Sequence, residues 1–335
     1  MADIGKLSAT KITTYMGCSM AYALAYVFHE KVPTNATLLS GKSIHYMLDH
    51  FYDVNFKSED SFAGYWRHYW GGQVSGDFIQ GKEKEKLQLV EHEYFGRDPV
   101  SRKRVKKILR VGNHVDFGRD PVGIFFGHMK SGETMLRNFY SRHAVEKDPN
   151  NDERQPPVDR ERNFGKRKDD PFSMDGIPIV GVFDRIDKKG EVWYITDYKT
   201  DRKSPGDDAF ILHRHPQFTL YSYVFRKIYG VEESAILYYH LRSGDIFKTH
   251  RSEKDYDYLR RLISHVADGI LHDRFVPFYG FHCNFCPYKV PCERYSTPYY
   301  GGPRIDLGGK IIGAEKFTDW DPLIPDWMQD QAEER

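Results

Sequence analysis

The feature that most constrains the fold of this chain is a pair of strand-like runs closing on one glycine turn. Ile177–Asp187 alternates apolar and polar residues behind a Gly-Ile-Pro entry, Lys188-Lys189-Gly190 follows, and Glu191–Lys199 alternates again. That is the pattern of a β-hairpin. It carries Asp184 on its first strand and Asp197-Tyr198-Lys199 on its second. A hairpin brings its strand ends together, so two carboxylates can converge on one hard cation such as Mg²⁺ or Mn²⁺. Side chains alternate along a strand, which puts Asp197 and Lys199 on the same face. Taken alone, these residues equally describe turn or edge-strand acids beside a solvated lysine.

Three further constellations lie outside the hairpin. Gly41-Lys42-Ser43-Ile44-His45 places a histidine in a helix whose other positions, Ile44, Met47, Leu48 and Phe51, are apolar. A core histidine and a metal ligand both fit that position. Gln217 and Tyr221 fall at i and i+4 of a helical run, one face reaching one group. Cys283, Cys286 and Cys292 give three thiols in one short segment, and Cys18 supplies a fourth from the other end of the chain. Four cysteines in a cytosolic chain argue against a disulfide framework and suit zinc or an iron–sulfur cluster, with buried structural thiols as the alternative. Such a staple would clamp the two ends of the chain together.

The rest of the chain places these pieces. Residues 8–30 are expected to form one amphipathic helix, and a second helix begins near Gly41. Residues 57–155 read as mostly helical, with GRDPV used twice, at 96–100 and 118–122, as a short turn. Near residue 158 the pattern changes to strands, with a helix over Pro216–Tyr229, a third strand over Ala235–Leu241 and a helix over 252–272. Helices, then strands, helix and strand imply an α/β core with a mixed sheet. The expected divisions are N-terminal core helices over 1–56, a mainly helical insertion over 57–157, the hairpin-bearing core over 158–295 and an irregular acidic tail over 296–335. That tail carries Asp319, Asp321, Asp326, Asp330, Glu333 and Glu334.

With a net charge of +1, the whole chain does not announce a polyanionic partner. Its basic residues are nevertheless clustered: Arg102, Lys103, Arg104, Lys106, Lys107 and Arg110 form one segment, and Arg160, Arg162, Lys166, Arg167 and Lys168 another. Solvated faces and a channel for a phosphate backbone both account for such clusters. There is no secretory pattern at the start and no long apolar run, so a cytoplasmic, non-membrane protein is expected.

Together these pieces resemble the RecB-like branch of the PD-(D/E)XK nuclease superfamily. The likeness is to members with an iron–sulfur staple, the CRISPR-associated exonucleases and the nuclease domains of AddB and of the eukaryotic replication helicase–nuclease. It rests on Ser8 through Cys18, Gly41–His45, Gly181-Val182-Phe183-Asp184, Asp197-Tyr198-Lys199-Thr200, Gln217 through Tyr221 and the cysteine triplet. The resemblance implies a restriction-endonuclease-like α/β core, its mixed central sheet flanked by helices, with a helical insertion. It implies His45, Asp184, Asp197 and the Tyr198 carbonyl as ligands of Mg²⁺ or Mn²⁺, Lys199 as the catalytic lysine, and Gln217 and Tyr221 as substrate-positioning groups. Glu161 stands where such proteins often have an acid before the hairpin. Cys18, Cys283, Cys286 and Cys292 would hold a [4Fe–4S] cluster, zinc being the alternative. Phe183 stands where the superfamily often has proline, and Asp197 where glutamate is frequent. The implied activity is metal-dependent DNA hydrolysis, by an exonuclease acting on single strands or ends in recombination, repair or phage or CRISPR DNA processing. The alternative is a non-catalytic DNA-binding or zinc-stapled interaction subunit. No G-x-x-x-x-G-K-[ST] loop is present, so a helicase or recombination partner would be a separate chain.

Overall fold

A computed structural model of the protein describes residues 4–97, 101–147, 156–167, 169–206, 212–300, 304–305 and 311–312. The chain divides into two compact units, Met1–Phe278 and Tyr279–Arg335. In chain order the first unit begins with α1 (Ala9–Gly17), α2 (Ser19–Tyr26), β1 (Thr34–Asn35), α3 (Ala36–Asp53), α4 (Glu59–Ser75) and α5 (Gly81–Glu85). Then come β2 (Leu89–Arg97), β3 (Arg104–Gly112), β4 (Val115–Asp116), α6 (Pro121–His143) and a 3-10 turn, Ala144–Lys147. The remainder is β5 (Asp159–Phe164), β6 (Phe172–Met174), β7 (Ile177–Ile179), β8 (Gly181–Lys189), β9 (Val192–Lys199), α7 (Pro216–Tyr229), β10 (Ala235–His240), β11 (Asp245–Thr249) and α8 (Glu253–Leu271). In the second unit a 3-10 turn, Phe281–Phe285, precedes α9 (Lys289–Tyr300).

The central sheet runs β11-β10-β9-β8-β5. It is mixed: β9 and β10 are parallel, with Tyr198 opposite Tyr239, and the other neighbours are antiparallel. The parallel pair follows from α7, a crossover helix joining two strands that point the same way. Pro216 starts that helix and Gly230, at φ 68°, ends it, the usual asymmetry of helix ends.

Alternation along β9 assigns the two faces. Ile195 packs with Ile12, Phe218, Phe225 and Ile263 of α1, α7 and α8. Tyr198 packs with Ile44, Phe51, Trp66 and Phe139 of α3, α4 and α6 on the opposite side. The sheet is thus covered on both faces, as expected of an α/β core. On the second face α4 and α6 approach closely. Trp66 Nε1 donates to the Met129 carbonyl at 2.8 Å, and a Cβ at Gly132 would fall 2.3 Å from the Trp66 ring. Burying an aromatic of this size contributes roughly 1.5–3 kcal/mol, so Gly132 guards one of the larger single terms of that core.

The structure revises several expectations. The helix expected over 8–30 is broken at Cys18, whose φ −163° and ψ 107° are extended, so α1 ends at Gly17 and α2 begins at Ser19. The second helix starts at Ala36 and not near Gly41, because the Asn35 side chain caps the Thr37 N–H at 2.8 Å. The stretch read as mostly helical contains β2 and β3, a two-stranded ribbon nine residues long on each side. The two GRDPV copies also differ. Gly96 and Arg97 end β2, with 98–100 outside the described residues, whereas Asp120 caps α6 and Pro121 opens it. Beyond residue 300 the expected acidic tail lies almost wholly outside the described residues. No helix among the described residues is long and apolar enough to cross a membrane.

Candidate active site

The β8–β9 ladder fixes where the acids go. Its pairs run from Lys189↔Val192 to Arg185↔Thr196. Beyond the last pair, Asp184 Oδ2 accepts the Tyr198 N–H at 2.8 Å. A side-chain carboxylate thus takes the place of a ladder carbonyl, which satisfies the buried amide and fixes the carboxyl between the strands.

His45 and Glu161 converge on Asp184. His45 Nδ1 lies 3.4 Å from Asp184 Oδ1 and 3.8 Å from Glu161 Oε1. Donor atoms of all three side chains fall within 4.8 Å of one another. Each comes from a different element: His45 from the middle of α3, Asp184 from β8, and Glu161 from the edge strand β5. Glu161 is in a left-handed conformation, φ 43°. Arg160 pairs with Arg185 and Arg162 with Phe183, so Glu161 stands opposite Asp184 in the β5–β8 register. For a residue with a Cβ this conformation costs of order 1–3 kcal/mol and persists only where the surroundings enforce it.

Asp197 anchors a second group on the α7 side of the sheet. Lys199 Nζ is 2.6 Å from Asp197 Oδ2 and donates to Gln217 Oε1 at 3.0 Å. Gln217 Nε2 donates to Asp197 Oδ1 at 2.9 Å and to the Tyr221 hydroxyl at 2.8 Å. The spacing that put Gln217 and Tyr221 on one helical face therefore brings both to the hairpin end. Asp197 is 1% exposed, and its Oδ2 is held by the Lys199 ammonium as an ion pair.

The charges follow from this packing. Burial opposes ionisation of Asp184, but His45 and then the Tyr198 N–H hold its carboxyl below the usual range. Burial pushes Asp197 up; the Lys199 ammonium opposes this and the Asp184 carboxylate adds to it, leaving the group at about 6. For His45 burial favours the neutral ring, yet Asp184 and Glu161 push it up to about 10. Burial works against the Lys199 ammonium, while Asp197 keeps its pKa above the ordinary value.

The donor set fits a hard divalent cation. It offers carboxylate oxygens and one imidazole, the ligands that suit Mg²⁺ or Mn²⁺ rather than a soft metal. The donor atoms of His45, Glu161 and Asp184 lie within 4.8 Å of one another, close enough for one ion to reach all three. A proton and a metal compete for the same donors, so a bound cation displaces the proton His45 otherwise holds. His45, Glu161 and Asp184 form the converging set among the described residues, whereas Asp197 faces Lys199 and Gln217. Tyr198 contributes its N–H to Asp184, and its ring lies in the core against α3 and α6. Glu161 is thus part of the converging set, and its placement depends on a backbone conformation that no sequence pattern announces.

Behind the site lies a network that the sequence did not reveal. Arg185, 4% exposed, binds Asp187 at 2.8 Å through Nε and Glu146 at 3.0 Å, and also contacts the Tyr52 hydroxyl. Glu146 in turn accepts from Tyr52 at 2.7 Å and lies 2.9 Å from His143 Nδ1. It ties α3 and the end of α6 to β8, and so holds the helix of His45 against the strand of Asp184.

The four cysteines are half-buried. Cys18 stands at the break between α1 and α2, where its Sγ accepts the Phe278 N–H at 3.4 Å. Cys283 lies in the 3-10 turn of the second unit, Cys286 directly follows it, and Cys292 is in α9.

A model of the PD-(D/E)XK nuclease superfamily matches residues 6–293. No curated protein matches the chain. The match spans the sheet, His45, Glu161, the Asp184–Lys199 hairpin and the helix of Gln217, and the chain belongs to the PD-(D/E)XK nuclease superfamily.

Proposed function

We propose that this metal-dependent nuclease hydrolyses DNA, working as an exonuclease on single strands or from ends. The observation that carries this reading is the meeting of His45, Glu161 and Asp184 beside the Asp197–Lys199–Gln217 group. A divalent cation held there would polarise a phosphoryl oxygen, activate water and offset charge on the leaving oxygen. The chain's own residues supply position and charge. Lys199, charged at neutral pH and steadied by Asp197 and Gln217, presents a fixed cation to the phosphate or orients the attacking water. Gln217 holds Asp197 and Tyr221 in one hydrogen-bonded row, which limits the rotamers of all three. Asp184 is 9% exposed and Asp197 1%. Acids this deep are reached by a flexible single strand more readily than by the backbone of an intact duplex.

We further assign the chain to the RecB-like branch, with Cys18, Cys283, Cys286 and Cys292 as ligands of a [4Fe–4S] cluster. The number and spacing of the thiols support this, as does the amide aimed at Cys18 Sγ, a contact that stabilises thiolate sulfur. Anaerobically purified protein should be brown, with visible absorption; a colourless preparation containing zinc would replace the cluster by a zinc staple. Roles in recombination, repair or phage or CRISPR processing, beside a separate helicase, belong to the same proposal. The test of the activity is incubation with end-labelled single- and double-stranded DNA in Mn²⁺, Mg²⁺ or EDTA. Stepwise loss of label from one end of the single strand, with metal only, is expected. Internal cuts without shortening from an end would overturn the exonuclease assignment.

A further inference from the structure

The β2–β3 ribbon is rooted beside the helix that carries His45. Its return strand leads into β4, which pairs with β1 through Thr34↔Val115 and Asn35↔Asp116, and β1 runs directly into α3. His45 is nine residues along α3 from its start at Ala36, about 14 Å at 1.5 Å per residue. At about 3.3 Å per residue each nine-residue strand extends about 26 Å.

The two faces of the ribbon differ. One is half-buried, with Tyr94 against Phe126 of α6 at 5.2 Å between ring centres. The other is exposed along its whole length. Near the root of that exposed face the charges are matched, Glu91 with Arg110 at 2.9 Å and Glu93 with Lys106 at 2.5 Å. Towards the tip they are not balanced: residues 97–104 hold Arg97, Arg102, Lys103 and Arg104 against Asp98, four cations and one acid, or +3. Arg97 and Arg104 stand directly opposite each other in the ladder. Like charges so placed destabilise a ribbon. Between them and the root, Phe95 is 63% exposed, with the Arg104 guanidinium 4.6 Å from its ring centre. In the other basic segment Arg160 binds Asp53 of α3 at 2.9 Å and Arg162 binds Asp159 at 2.8 Å, so those two cations are paired within the fold.

Resting on the nuclease reading, we propose that the exposed distal face of the β2–β3 ribbon is an arm that grips the DNA phosphate backbone outside the cleavage site. Phe95, Arg97 and Arg104 of the strands form it, with Arg102 and Lys103 just before β3. A polyphosphate resolves the repulsion of the opposed arginines, and the arginine-backed Phe95 ring offers a face to a base. The contacts are to phosphate and are independent of sequence.

The test is DNA binding in EDTA, which separates binding from turnover. Affinity for a labelled single strand and for the matching duplex is measured against salt, for the unsubstituted protein and for Arg97→Gln/Arg102→Gln/Lys103→Gln/Arg104→Gln. Each phosphate contact contributes about 0.7 to the salt slope on a single strand and about 0.9 on a duplex. The variant should show a slope shallower by about 3, on whichever form the arm holds, and weaker binding at low salt. Its metal-dependent cleavage of an oligonucleotide too short to reach the arm should be unchanged, which also shows that it is folded. An unchanged slope and affinity on both forms would overturn the arm while leaving the nuclease assignment standing. Failure of the unsubstituted protein to bind either DNA would overturn both.

Discussion

Glu146→Gln removes one charge from the network behind the site and should cost about 3 kcal/mol of stability at neutral pH. Two routes give this figure. Breaking a buried ion pair by altering one partner costs about 3–5 kcal/mol, and the lower end applies because Arg185 keeps Asp187. Independently, burial opposes the Glu146 charge, but His143 and Arg185 lower its pKa from 4.5 to about 2. At about 1.4 kcal/mol for each pH unit, that difference is again about 3 kcal/mol. The sign follows from the direction: a carboxyl whose pKa is depressed by folding stabilises above its unfolded value, and the gain is lost as pH falls from 4.5 towards 2. The gap between the two proteins in urea denaturation should therefore be about 3 kcal/mol at pH 7 and about 1 kcal/mol at pH 3. A gap below 1 kcal/mol at pH 7, or one that does not narrow with acid, would refute the reasoning. Because the network joins α3 and α6 to β8, the folded variant should also bind Mn²⁺ more weakly.

Other outcomes follow from the same geometry. Glu161→Gly should relieve the φ 43° strain and raise stability by about 1 kcal/mol in thermal unfolding, while Mn²⁺ affinity falls. Equal affinity would remove Glu161 from the ligand set. Gln217→Leu should reduce kcat about tenfold, the loss of roughly one aligned hydrogen bond's worth of orientation, with KM little changed. A rise in KM alone would make it a binding residue only. Gly132→Ala should destabilise by a few kcal/mol, since its Cβ meets Trp66 at 2.3 Å; a neutral result in denaturant melts would show that α4 and α6 can separate freely.

How much was legible in the sequence depended on whether short-range pattern or distant contact set each feature. Strands β8 and β9 and helix α7 were visible because alternation, a glycine turn and the Pro216–Gly230 pair are local signals. Lys199, Asp197, Gln217 and Tyr221 follow from those periods, and the structure brings them within hydrogen-bonding distance. The β2–β3 ribbon was hidden because Val105, Ile108 and Leu109 also fall at i, i+3 and i+4, so the same residues satisfy a helical period. Cys18 interrupts an otherwise helical run through backbone geometry alone. Glu161 owes its position to a left-handed residue on an edge strand, and Arg185 and Glu146 meet across 39 positions of chain. Neither leaves a trace in spacing.

The most direct test of the account is calorimetric Mn²⁺ titration and DNA cleavage, measured together on the unsubstituted protein, Asp184→Asn and Lys199→Ala. The unsubstituted protein should bind Mn²⁺ and cleave only with it. Asp184→Asn should lose both the binding and the cleavage. Lys199→Ala should still bind the ion, yet cleave at least about a hundredfold more slowly, the usual effect of removing one electrostatic stabiliser. Full cleavage by Asp184→Asn, or cleavage by the unsubstituted protein in EDTA, would contradict the central claim that these residues form a metal-dependent nuclease site.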